Sequence, residues 1–204
     1  MKKLSIFLAL LSIMYFHIAS AQNNNRPVVT IKSLPNSTDE FISLRNQIAT
    51  TPEGGAAMFI LALYLYTKKP TMGMECIISS VDMSVLSEAP EGKGYKGYDL
   101  GSSNKSLLTS QLDKGKHIPS SYFKGTSPQN GYKASTPFQV ETSTNPSSGN
   151  ESEGKIKLFV KSTGADSPRP IMMKQNDKGI WKASEWSSLL VGVRPPATTV
   201  KDDL

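Results

Sequence analysis

The sequence predicts an α+β domain in which N-terminal helices pack on a small C-terminal antiparallel sheet, and three observations predict it. Apolar residues recur at helical spacing through the first half of the chain, whereas short runs broken by turn residues fill the second half. Between them in importance stands Ala56–Tyr66, apolar nearly all round, which must be covered on every side and so belongs at the centre of the fold.

The chain opens with Met1, Lys2 and Lys3, then the apolar run Leu4–Ile18, then Ala19-Ser20-Ala21. Positive charge, an apolar stretch and small residues in that order are what export and signal-peptidase cleavage require, so residues 1–21 read as a signal peptide. The run is shorter than the roughly 20 residues that cross a bilayer, and Asn23, Asn24 and Asn25 follow in place of a basic stop-transfer cluster. No Cys stands beside the cleavage point to carry a lipid. The expected product is exported, periplasmic or secreted, with no stable membrane anchor. Losing 21 of 204 residues leaves 183, and the net charge falls from +6 to +4 as Lys2 and Lys3 leave. That length suits a single domain, with residues 22–35 as an N-terminal linker, 36–193 as the domain and 194–204 as a C-terminal tail.

Asn36, Ser37 and Thr38 offer caps for a first helix over Asp39–Ala49, with Phe41, Leu44 and Ile48 on one face. Thr51 caps the second, Pro52 suits its first turn, Glu53 complements its dipole, and Lys68 and Lys69 close it before Pro70. Gly54, Gly55, Ala56 and Ala57 would let another backbone approach closely. A third, short helix covers Met72–Ser80, and Ser102 or Ser103 caps a fourth that runs to about Leu112. Between them, Gly92, Gly94 and Gly97 alternate with Tyr95 and Tyr98, which reads as a surface loop with partly packed tyrosines. A phosphate loop would need a Walker spacing and a preceding strand, and neither is present.

Strands are expected at Phe138–Glu141, Ile156–Lys161, Pro170–Lys174 and Ile180–Ala183, with Asn176–Gly179 as a hairpin turn joining the last two. Thr142–Gly154 is polar enough to be a mobile loop. Ile156, Leu158 and Val160 alternate with Lys155, Lys157, Phe159 and Lys161, so one sheet face meets the helices and the other is partly wet.

Several chemistries are excluded by counting. After cleavage Cys76 is the only cysteine and His117 the only histidine, so no internal disulfide and no Cys/His zinc cluster can form within one chain; no metal and no cofactor are expected. Cys76 lies in the apolar stretch Met74–Ile78 and reads as a small buried hydrophobe; His117, before Pro119, reads as a loop residue. Lysines are scattered instead of clustered, which argues against nucleic acid as a partner. Ser102–Lys105 and Ser121–Lys124 fit S-x-x-K, but the partner motifs of penicillin-recognising enzymes are absent. The terminal Lys201-Asp202-Asp203-Leu204 resembles an endoplasmic-reticulum retention address, which would place a eukaryotic product in that lumen.

Blocks at Thr51–Phe59, Ser121-Tyr122 with Gly125–Tyr132, Gly164–Pro170, Gly179–Lys182 and Val191–Pro196 together resemble a family of uncharacterised bacterial proteins known as a domain of unknown function. The resemblance runs from about Thr50 to Pro196 and implies a single domain without implying a reaction.

Candidate ligand-binding residues are Asp166, Ser167 and Arg169, in a loop whose conformations Gly164 and Pro168 limit, with Tyr122 and Trp181 as pocket aromatics. The plainer alternatives are an Asp166–Arg169 ion pair that staples the loop, and tyrosine and tryptophan, Trp186 included, placed in the core. Two function classes follow. One is a non-catalytic exported binding or interaction module, monomeric or homodimeric, for a protein or small-molecule ligand. The other is a small-pocket hydrolase or isomerase using a carboxylate such as Asp99, Asp166 or Glu185.

Overall fold

The computed structural model describes residues 24–198; the signal-like segment 1–21 and Lys201–Leu204 lie outside the described residues. The order is β1 (Val29–Ile31), α1 (Thr38–Ile48), α2 (Pro52–Lys68), α3 (Pro70–Ser80), a 3-10 turn at Met83–Val85, the hairpin β2 (Leu86–Glu88) and β3 (Tyr98–Leu100), and α4 (Ser102–Lys114). Then come β4 (Phe138–Val140), β5 (Thr142–Ser143), β6 (Lys155–Val160), β7 (Arg169–Gln175) and β8 (Trp181–Glu185). The fold is α+β with helices first and the main sheet last.

Helices α1 and α2 begin where their caps dictate. Ser37 Oγ accepts from the Glu40 amide at 3.2 Å, and Thr51 Oγ1 accepts from the Gly54 amide at 3.2 Å, so both first turns satisfy an otherwise orphaned N–H. Every residue of α2 from Pro52 to Leu65 is buried, and α1, α3 and the main sheet surround it. The small residues at its start do what the sequence suggested. A Cβ on Gly54 would lie 1.9 Å from the Ile48 carbonyl oxygen, and one on Gly55 would lie 2.6 Å from that of Trp181. No longer side chain fits between α2 and those backbones.

The main sheet runs β5-β6-β7-β8, all antiparallel, with Asn176–Gly179 making the last turn and Gly179 in the left-handed region at φ +74°. Ile156, Leu158, Val160, Ile171, Met173, Trp181 and Ala183 form its buried face. Both edges are covered: Asn25 bridges Ser143 beside β5, while the Asp82 amide donates to the Ala183 carbonyl at 2.9 Å and the Trp181 amide to that of Ala49 at 2.8 Å.

Several expectations need correction. Part of the segment expected to be a linker is structural: β1 pairs antiparallel with β4, Ile31 is fully buried, and Arg26 Nη2 reaches Glu53 at 2.9 Å and Glu151 at 2.5 Å. The stretch expected to be mobile is tied down by those same contacts, by the Lys157 amide on the Ser148 carbonyl at 2.8 Å, and by β5 itself. The first residues of the expected tail are docked, with the Ala197 amide on the Pro128 carbonyl at 2.9 Å. Helix α3 begins two residues earlier than expected because Pro70 takes its first turn. Among the described residues no helix is long and apolar enough to cross a membrane.

Candidate functional site

The residues singled out from the sequence do not converge. Tyr122 is 1% exposed and donates its hydroxyl to the Leu189 carbonyl at 2.8 Å; burial raises its pKa. Trp181 is 3% exposed on the α2 face of β8, and Trp186 packs tilted against Phe59 with ring centroids 5.2 Å apart. All three are core side chains, the plainer of the two expectations. Asp166 is 94% exposed and its partner is Arg194, at 3.4 Å, not Arg169. Arg169 instead donates to the Gly192 carbonyl at 2.8 Å and so fastens the C-terminal segment.

Asp166 and Ser167 share the rim of a shallow depression of about 390 Å³ with Glu141, Phe159 and Lys161. The acid there is already taken: hydrogen bonds from Lys161 and Lys124 hold the Glu141 carboxyl below the usual carboxylate range. Lys124 is therefore engaged away from Ser121, whose Oγ donates to the Ile118 carbonyl at 2.8 Å and lies 2.9 Å from Ser162 Oγ. The second S-x-x-K also dissolves, since Lys105 pairs with Asp99. Of the carboxylates considered for catalysis, Asp99 is spent on that pair, and Asp166 and Glu185 are exposed. None is an acid sunk in an apolar pocket.

Cys76 is fully buried, and burial with Glu75 nearby pushes its thiol up to about 12. It should be inert to Ellman's reagent at mildly alkaline pH in the folded protein and react at once in denaturant. Fast reaction of the native chain would show that the α1–α3 packing opens.

A different group of residues makes a chemically distinctive cleft. Strand alternation turns Trp181 and Ala183 toward α2 and Lys182 away from it. Lys182 there meets Ile42 and Arg45, three apart on α1, Ile78 and Ser79 at the end of α3, Met83 and Leu86, and Tyr95 and Tyr98 from the hairpin. The cleft's volume is about 240 Å³. The hairpin tip holds the tyrosines in place. Tyr95 and Tyr98 exchange backbone hydrogen bonds at 2.8 and 3.0 Å, and Gly94, at φ +70°, lies where a Cβ would be 2.2 Å from the Tyr98 carbonyl oxygen.

The electrostatics of this cleft are one-sided. Burial, reinforced by the Arg45 charge, lowers the Lys182 ammonium to about 8, and burial lowers Arg45 too. Arg45 Nη1 donates to the Ser79 carbonyl at 2.5 Å, and its Nε and Nη2 to Asn46 Oδ1 at 3.2 and 2.8 Å. Among the described residues neither cation has a carboxylate in ion-pair contact, and no side-chain hydrogen bond reaches the Lys182 ammonium. The acid whose charge reaches Lys182, Asp82, is paired with Lys174 at 3.3 Å. Burial alone would raise Asp82, but hydrogen bonds from Ser84 and the Lys174 charge bring it below its ordinary value.

Neither cation was legible as a site residue. Lys182 follows a tryptophan in an ordinary alternating strand, and Arg45 sits beside an amphipathic stripe, a position that usually means a solvated side chain. Only the packing of α1, the hairpin and β8 around one point brings them together.

The chain matches a family model over residues 33–197, a span that includes every residue of the cleft. No curated protein matches it, and no solved structure does. A match over most of the length shows the relationship: the chain belongs to the family described as Domain of unknown function (DUF6935).

Proposed function

We propose that this protein is an exported, non-catalytic binding module whose cleft between α1, the β2–β3 hairpin and β8 holds a small organic anion with an apolar body. Export rests on the charge, apolar run and small-residue order of residues 1–21. The anion reading rests on one observation: Lys182 and Arg45 share a mainly apolar cleft with no carboxylate paired to either. Two like charges withdrawn from water destabilise the fold unless something compensates them, and an anion does so while its apolar part covers Ile42, Ile78, Met83 and Leu86. The cleft's 240 Å³ falls below the ~300–1,000 Å³ of drug-sized sites, so the ligand is small, on the scale of an aromatic or branched carboxylate.

Benzoate and phenylacetate should raise the melting temperature at neutral pH, whereas benzyl alcohol, lacking the charge, should not. Lys182→Met and Arg45→Met should each abolish the response. Equal shifts with acid and alcohol, or a response retained in both variants, would overturn the anion reading.

The cleft also carries a pH signature. The unfolded chain holds the Lys182 proton up to the ordinary 10.5, while the folded chain releases it near about 8. Between those values the unfolded state binds more protons, so this group makes stability rise with pH through that window, while below it both states hold the proton and the penalty is full and constant. Lys182→Met should therefore raise the melting temperature at neutral pH, by roughly 2–4 °C after allowing for solvent screening of a partly exposed group, and flatten the alkaline rise. Thermal melts of both proteins across the window check this.

A further inference from the structure

Lys182 offers more than a charge, because nothing in the fold occupies its amine. Lys182 lines a cleft open to solvent together with Ile42, Ile78, Met83 and Leu86, and its Nζ has no hydrogen-bond or ion-pair partner among the described residues. Arg45 lines the same cleft. Three of its five N–H groups are used on Ser79 and Asn46, leaving one donor on each terminal nitrogen for a carboxylate.

We propose that Lys182 Nζ condenses reversibly with the carbonyl carbon of a small 2-oxo acid whose carboxylate is held by Arg45. The proposal rests on the anion-binding reading of this cleft and adds covalent chemistry to it. The 2-oxo acid is the ligand class that answers both groups at once, placing an electrophilic carbon one bond from the anchored carboxylate.

The step balances without an oxidant or a metal. The neutral amine gives its lone pair to the carbonyl carbon, forming C–N, and the carbonyl π pair moves to oxygen, which takes up a proton. The carbinolamine then loses its C–O bond as water, nitrogen gives up its hydrogens, and a C=N bond remains. One amine and one carbonyl become one imine and one water.

An amine must be neutral to attack, and this is where the surroundings matter. The charged groups that bear on Lys182 are Arg45 from α1, Asp82 after α3, and Lys178 from the β7–β8 turn; Lys96 from the hairpin tip also lines the cleft. The cations and the loss of water outweigh Asp82, leaving about half the amine neutral near pH 8, over a hundredfold more than an ordinary lysine. Lys174, whose ammonium is tied to Asp82, is the built-in comparison on the neighbouring strand.

The test is trapping with sodium borohydride. The full chain is incubated near neutral pH with pyruvate or phenylpyruvate, reduced, digested and examined by peptide mass spectrometry. The expected result is a reduced adduct on Lys182 with Lys174 and Lys178 unmodified, and none at this site in Lys182→Arg, which keeps the charge. Arg45→Met should cut trapping by pyruvate about tenfold more than trapping by acetaldehyde, which has no carboxylate and loses only what a less neutral Lys182 costs once the Arg45 charge is gone. Adducts spread over surface lysines, or equal losses for both carbonyl compounds in Arg45→Met, would overturn the proposal. Benzoate binding with no Lys182 adduct would overturn the imine and leave the anion site standing; absence of both would remove both readings.

Discussion

A chain trimmed to residues 33–197, the span of the family match, is expected to lose cooperative unfolding or to melt far below the chain that begins at Gln22. The trimmed chain lacks β1, so β4 loses its antiparallel partner and the fully buried Ile31 leaves a void against the core. Losing a buried aliphatic side chain of that size costs about 2–5 kcal/mol. It also lacks Arg26, whose guanidinium bridges Glu53 at 2.9 Å and Glu151 at 2.5 Å. Glu53 is buried at the start of α2, and an unpaired carboxylate there costs on the order of 2 kcal/mol, less than a fully buried pair because Arg26 is itself partly exposed. The sum, on the order of 5 kcal/mol, approaches the whole stability of a typical domain. Circular dichroism melts of the two chains decide it; melting temperatures within about 2 °C of each other would mean that β1 is decoration.

Gly73→Ala should destabilise the protein by about 3 kcal/mol, although alanine is the better helix former by about 1 kcal/mol. Helices α2 and α3 are joined by the single residue Lys69, so the first turn of α3 presses on the last turns of α2. A Cβ at Gly73 would stand 2.1 Å from Tyr66 Cα and 2.2 Å from its amide nitrogen. Backbone atoms cannot swing aside as a flexible side chain can, and relief would require α3 to move off α2. Because Ile77 and Cys76 on α3 are fully buried, that movement would open the core. A urea midpoint unchanged or raised by the substitution would show that the two helices are not clamped there.

Much of the architecture was legible in the sequence where one element's own chemistry decides it. Thr51, Pro52 and Glu53 start a helix because a cap, a fixed φ and a charge at the dipole end are local effects. Gly54 and Gly55 announced a close approach because only absent side chains permit one. Asn176–Gly179 announced a turn because few residues tolerate its backbone. By contrast β1, β2, β3 and β5 have two or three residues each, too short for alternation to register, and exist because a partner strand lies beside them.

The sites divide along the same line. Asp166 and Arg169 looked like a pair because they are close in sequence, yet each is claimed by a segment near residue 193: Arg194 takes the acid and the Gly192 carbonyl takes the guanidinium. Tyr122 and Trp181 looked like pocket aromatics, but each ring serves the core.

By itself the sequence determined the α+β class, the central helix, the caps of α1 and α2, the main strands and the exclusion of an internal disulfide and of a Cys/His zinc cluster within one chain, all matters of local preference or of counting. Only the tertiary structure decided that the segment before residue 36 belongs to the fold and that Lys182 and Arg45 face one another's charge. Desolvation and charge coupling act through space between residues 137 positions apart, and no sequence pattern encodes that proximity.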